Sequence, residues 1–364
     1  MLTSAFDAHH LFPARRIRVA VVDDSVVVRG LFARWLTEMP EVDLVGVHRN
    51  SIEALRQMPS CRPDVVLLDI EMPEMDGLTA LPLLLQAVPE ARVLVVSALT
   101  IRGADLTLKC LMRGASDYLS KPTTMAKVST TPAFKQDLQA RVRALGNRVE
   151  RRSVAYPGPL PPPVRAPRDA TPQLLVIGAS TGGPAAITAL LAQIPEVLPG
   201  LPVVVGQHMP ATFTTLFADH LRRHARLDAC EISGGEVLRR GVIHVVRGDG
   251  SVLIERAGAH FVARRGPGTT MALHPSIDLI FASAADAAGP AALGVILTGA
   301  GNDGAAGAAR IVAAGGAVFA QSPESCTLSA MPSAVCDAGL ASVVGDIAAL
   351  GRSINRHCRP IARD

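Results

Sequence analysis

Aromatic side chains are scarce: nine Phe, two Tyr and one Trp make up 3% of 364 residues. That leaves few platforms for base stacking, and a net charge of +4 from 36 basic and 32 acidic residues supplies no strongly basic face, so no nucleic-acid partner is expected. Cysteine is also sparse. The six thiols, Cys61, Cys110, Cys230, Cys326, Cys336 and Cys358, contain no C-x-x-C pair, so neither a zinc site nor a disulfide framework is indicated. Mean hydropathy is positive, +0.30, yet no apolar run reaches the roughly 18 residues of a membrane-spanning helix. Asp7, His9, His10, Arg15 and Arg16 interrupt the amino-terminal stretch, so neither a signal peptide nor membrane insertion is expected, and a cytoplasmic location follows.

What is abundant is aliphatic. Apolar residues are 49% and charged residues 19%, a composition suited to α/β domains with buried parallel strands. The length allows two domains of ordinary size. A boundary is marked by PGPLPPPVRAPRDATP at 157–172, whose prolines remove backbone donors and favour extended chain. The division expected is an extension at 1–14, a first domain at 15–132, a helical then proline-rich linker at 133–172, and a second domain at 173–358. The segment FKQDLQARVRALGNRVERR reads as the helical part, weakened by Gly146.

In the first domain, Ile17–Val22, Val42–Val47, Val65–Leu68 and Val93–Val96 read as strands. Val28, Leu31, Phe32, Trp35 and Leu36 form the apolar face of a helix between the first two. Alternating strand and helix predicts a doubly wound parallel sheet, with functional residues at the carboxyl ends of its strands. Asp23 and Asp24 follow the first strand, Asp69 ends the third and Ser97 the fourth, and Lys121 follows Tyr118 and Leu119. Converging carboxylates repel one another, and a hard divalent cation such as Mg²⁺ relieves this through oxygen ligands.

The segments VVDDS, LLDIEMPEMDGL, VVSAL and DYLSKP resemble the receiver domain of two-component response regulators. The resemblance implies that Asp69 accepts a phosphoryl group from a partner histidine kinase. It further implies that Asp24, Asp69 and the backbone carbonyl of Glu71 hold Mg²⁺, with Asp23 acting through water, and that Ser97 and Lys121 grip the phosphoryl oxygens.

The second domain opens with a strand, Leu174–Ile177, and then GASTGGP. Ile187, Leu190, Leu191 and Ile194 continue as a helical stripe, so Ser180 lies in a strand, tight turn and helix that fits the G-x-S-x-G nucleophile pattern. A glycine-rich turn before a helix also suits a phosphate or dinucleotide site. Against a dinucleotide, the next strand, Val203–Val205, is followed by Gly206, Gln207, His208 and Met209 rather than by an acid. A further strand, Val295–Leu297, leads into TGAGNDGAAG, which carries Asp303. Ser180, His208 and Asp303 each fall just beyond a buried strand, as a nucleophile, base and orienting carboxylate require. His274 and Asp278 are rivals for the last two roles, whereas His244, inside VIHVV, fits packing. Oxyanion donors are expected at the turn, from Thr181 or Gly182.

VIGASTGGP, QHMP, TLFADHL, PSIDLIF, VILTGAGNDGAAG and AQSPESC resemble the chemotaxis protein-glutamate methylesterases, which join a receiver to such a domain. The resemblance implies a phosphorylation-activated serine hydrolase acting on glutamyl methyl esters, and on glutamines, of chemoreceptors. Ser180 would be nucleophile, His208 base and Asp303 orienting carboxylate, with no cofactor in the second domain. Ala300, Arg247 and His274 depart from residues common in that family. The alternative is a receiver fused to a catalytically silent, hydrolase-like binding module.

Overall fold

The structure, a computed structural model, describes residues 15–98, 100–121, 132–146, 170–225, 228–267 and 275–358. The amino-terminal extension, most of the proline-rich segment and His274 lie outside the described residues.

Helix starts in the first domain are written into single polar side chains. Ser25, Asn50, Asp76 and Thr100 each accept a hydrogen bond from the backbone N–H three residues on, satisfying a donor that has no partner inside its helix. The elements run β1 (Ile17–Val22), α1 (Val26–Thr37), β2 (Val42–His48), α2 (Ser51–Cys61), β3 (Val65–Asp69), α3 (Gly77–Ala87), β4 (Arg92–Ala98), α4 (Ile101–Met112) and β5 (Asp117–Lys121). The strands form a parallel sheet in the order β2-β1-β3-β4-β5. Successive strand residues point to opposite faces, so Val66, Leu68, Val93 and Val95 meet α2, α3 and α4, while Val19, Val21, Leu67, Leu94 and Val96 meet α1.

One expectation fails here. The helix assigned to the linker, α5 (Pro132–Gly146), is packed into the first domain's core. Phe134, Leu138, Val142 and Leu145 form a buried stripe against Phe32, Trp35 and the sheet, with Phe134 and Trp35 edge to face at 6.0 Å. Gly146 does not weaken this helix but lets it close on the sheet, since a Cβ there would lie 2.1 Å from Ile17 Cγ2. The physical reason is that the stripe recurs at spacings of four, four and three residues, one helix face over three turns, and needs an apolar partner, which the face beside α1 provides.

The second domain comprises β6 (Leu174–Ala179), α6 (Gly183–Gln193), β7 (Val203–Gln207), α7 (Ala211–Ala225), β8 (Asp228–Ile232), β9 (Val237–Leu238), β10 (Val242–Val246), β11 (Val252–Ala257) and β12 (His260–Arg265). It continues through α8 (Ile277–Ala288), β13 (Ala292–Ile296), α9 (Ala305–Ala313), β14 (Ala317–Gln321), α10 (Ala330–Asp337), β15 (Val343–Gly345) and α11 (Ile347–His357). Its parallel sheet has the order β15-β14-β13-β6-β7-β10-β8, and β11, β12 and β9 form a small antiparallel sheet. Every residue of β6, β7, β13 and β14 is buried, which explains their continuous apolar runs in place of alternation. β13 begins three residues before the expected strand. The two domains touch directly, with α4 lying against α6 and α7.

Candidate active site and phosphoacceptor pocket

The strand order decides which residues meet. β13, β6 and β7 are adjacent and parallel, so the loops at their carboxyl ends bring Asp303, Ser180 and His208 to one edge. His208 Nε2 lies 2.8 Å from Asp303 Oδ2. A carboxylate can only accept, so Nε2 carries the proton and Nδ1 the lone pair. Nδ1 is buried and has no hydrogen-bond partner among the described residues, so it is the ring nitrogen left for a substrate-side proton, and the Ser180 hydroxyl is not bonded to it here.

Asp303 is held from a second side. The first amides of α8 reach it, Ile277 N donating to Oδ2 and Asp278 N to Oδ1, each at 2.8 Å. Burial pushes the Asp303 carboxyl up, but the His208 hydrogen bond and these two amides outweigh it and hold the group below the usual carboxylate range. Asp278, a rival on sequence grounds, does other work. Its Oδ1 accepts from Gly304 N at 2.9 Å and Gly307 N at 2.7 Å, so it shapes the loop that presents Asp303. His244 is a packing residue: Nδ1 bonds Val203 O at 3.0 Å, and Nε2 accepts from Arg239 N.

Ser180 sits at the turn into α6, where Gly182 has φ 77°, a left-handed conformation that favours glycine. Ser180 N is committed to Thr298 O at 3.0 Å. The Thr181 and Gly182 amides, expected as oxyanion donors, stand at the amino end of α6 with no backbone acceptor among the described residues. Sequence reasoning missed Gln207. Its Nε2 donates to Ser180 O at 2.9 Å and His208 O at 3.1 Å, tying the Ser180 and His208 segments together. The signal was its place as the last residue of β7, between the two. Ala300 lines the cleft beside Ser180 and Met209, and Arg247 is paired with Asp249 at 2.7 Å and Glu231 at 3.3 Å.

The first domain gathers its acids likewise. Oxygens of Asp23, Asp24 and Asp69 all lie within 4.8 Å of one another, and Lys121 Nζ is 2.9 Å from both Asp23 Oδ2 and Asp69 Oδ1. Burial raises the Asp69 carboxyl to about 6 against the pull of Lys121, with Asp23 and Asp24 adding to the rise. Lys121 moves up in turn, because Asp69 and Asp23 outweigh its burial. An all-oxygen donor set of this size fits a hard divalent cation. Ser97 Oγ is turned to Gly103 O at 3.2 Å rather than toward the carboxylates. Glu71 follows in the β3–α3 loop.

The fold and these sites define a class: a receiver domain seated on an α/β domain that carries a serine, histidine and carboxylate on neighbouring strand ends. Residues 19–131 match the response regulator receiver domain model, and 175–354 match that of the CheB methylesterase. A protein-glutamate methylesterase/protein-glutamine glutaminase of Rhodopseudomonas palustris is 38% identical over 366 residues, covering 93% of this chain and 94% of the relative. One from Bradyrhizobium diazoefficiens is 37% identical over 371 residues, covering 93% and 94%. The crystal structure of the Thermotoga maritima CheB methylesterase catalytic domain aligns with 29% identity and a TM-score of 0.49, covering 51% of this chain and 99% of that one. The chain belongs to the CheB methylesterase family. Among the described residues no helix is long and apolar enough to cross a membrane.

Proposed function

We propose that the chain is a protein-glutamate methylesterase and protein-glutamine glutaminase, with Ser180, His208 and Asp303 as its catalytic set, switched by phosphorylation of Asp69. The observation that carries the reading is the His208–Asp303 contact, which leaves a buried Nδ1 lone pair on the strand next to that of Ser180. His208 Nδ1 takes the Ser180 proton as Oγ attacks the glutamyl carbonyl. The oxyanion forms against the Thr181 and Gly182 amides, worth about 2.7–4 kcal/mol per donor. His208 then returns the proton to departing methanol, or to ammonia from a glutamine, and water admitted by the same base releases the glutamate.

The domain limits follow: receiver chemistry up to α5, catalysis from β6 onward. Asp24, Asp69 and the Glu71 carbonyl would hold Mg²⁺, with Asp23 through water, where the ion offsets negative charge on the phosphoryl oxygens. Lys121 and Ser97 contact that group, Ser97 after leaving Gly103. The partners are a histidine kinase as phosphodonor and methylated chemoreceptors as substrate. Methanol release from methylated receptor membranes tests the reading. Wild type treated with beryllofluoride and Mg²⁺ should be stimulated, Asp69→Ala should not respond, and Ser180→Ala should lose on the order of 10⁴-fold or more. A Ser180→Ala protein within about tenfold of wild type would exclude the serine mechanism.

A further inference from the structure

The residue after the nucleophile is held by the other domain. Thr181 Oγ1 donates to Asp117 Oδ2 at 2.9 Å, and both side chains are buried. Asp117 begins β5. Its Oδ2 also accepts from Arg141 Nη1 at 2.7 Å, and its Oδ1 accepts from Tyr118 N at 2.9 Å. Arg141 belongs to α5, and its guanidinium lies over the Tyr118 ring, which stacks on Phe213 of α7 with centroids 4.8 Å apart. Asp117, Arg141 and Tyr118 line the same cleft of about 760 Å³ as Ser180, Thr181 and His208.

The chemistry of this contact is specific. A protein-borne side-chain carboxylate is what ester hydrolysis leaves behind, and here one is bonded to a hydroxyl adjacent to the nucleophile. If the receiver moves off the cleft, the Thr181 hydroxyl loses this acceptor and is free to bond water or a substrate oxygen. We propose that Thr181 Oγ1 is a recognition group for the carbonyl or carboxyl oxygen of the glutamyl side chain, and that Asp117 occupies this subsite as an internal product mimic. The proposal rests on the esterase reading above. The receiver then does more than cover the cleft: its carboxylate and the substrate compete for one donor, and an intramolecular competitor acts at high effective concentration.

The probe is N-acetylglutamate α-methylamide, whose only carboxylate is the γ group, titrated calorimetrically into the full-length chain. Asp117→Ala should bind it at least about tenfold more tightly than unphosphorylated wild type, the effect of losing one charge-assisted competitor bond. Adding Thr181→Val in that background should remove at least about tenfold of this affinity, and Thr181→Ser in its place should restore it. Asp117→Asn keeps the side-chain shape and an acceptor oxygen, so it should fall between wild type and Asp117→Ala and also serves where the alanine variant is unstable. Equal affinity in wild type and Asp117→Ala overturns the mimic, and indifference to Thr181→Val overturns the subsite. Failure of the esterase reading would show separately, as absent methanol release from beryllofluoride-treated wild type while the titrations still discriminate the Thr181 variants.

Discussion

Replacing Asp303 by Asn changes one atom and puts three hydrogen bonds in conflict. Oδ2 accepts from both His208 Nε2 and Ile277 N, and Oδ1 from Asp278 N. If the new amide nitrogen takes the Oδ1 position, it faces the Asp278 N–H, donor against donor. If it takes the Oδ2 position, it faces the Ile277 N–H and also obliges His208 Nε2 to accept, which moves the ring proton to Nδ1 and removes the base. Either rotamer strands one buried amide, at about 1–3 kcal/mol, or a fall in melting temperature of about 2–4 °C per kcal/mol for a domain of this size. Both lose the negative charge that favours an imidazolium. Turnover should therefore drop by about 10⁴-fold, far more than the stability change explains. Methanol release and thermal unfolding on the same preparation separate the two effects. Activity within about tenfold of wild type in a folded Asp303→Asn protein would refute the orienting role.

Two further predictions concern the domain contact and pH. Phe213→Leu removes the stack on Tyr118, worth about 0.5–1.5 kcal/mol, so methanol release by the unphosphorylated chain should rise about 2- to 10-fold; no rise would mean the stack does not hold the closed arrangement. His48, at the end of β2, is 1% exposed with neither ring nitrogen hydrogen-bonded among the described residues, and burial holds its pKa below the ordinary 6.5 despite nearby Glu53. It is thus neutral when folded and binds a proton more readily when unfolded. Its contribution to stability is complete above about pH 6.5 and is lost as pH falls toward the lower folded value. Denaturant titrations across that window should show a shallower loss for His48→Leu than for wild type, and an unchanged slope would assign the effect to His244 and His357, whose pKa values burial also lowers.

That Ser180, His208 and Asp303 share one edge could be read from sequence because each lies in the loop beyond a strand, and parallel strands deliver such loops to one edge whatever their order along the chain. Asp23, Asp69 and Lys121 were legible for the same reason. The contacts that arm these residues were not. Asp278 looked like a rival acid, since nothing local reveals that its carboxylate binds the amides of Gly304 and Gly307. Helix α5 looked like a linker because its polar residues and Gly146 mask a four-residue stripe whose partner, the α1 face, lies about a hundred positions away, as in the Gln139 to Trp35 bond. Thr181 and Asp117 are 64 residues apart in different domains, and no periodicity links them.

Strand β5 has one end in each site. Lys121 closes it beside Asp69, Asp117 opens it at the cleft, and only about 13 Å of extended backbone separates them. A hydrogen-bonded strand is stiff, so the two ends report on each other in both directions. Linkage makes that exchange symmetric: whatever factor phosphorylation adds to substrate affinity, bound substrate must add to the affinity of the receiver for a phosphoryl analogue. A cleft filled by substrate would therefore favour the analogue-bound receiver, so the two ends of one short strand would each raise the other's occupancy.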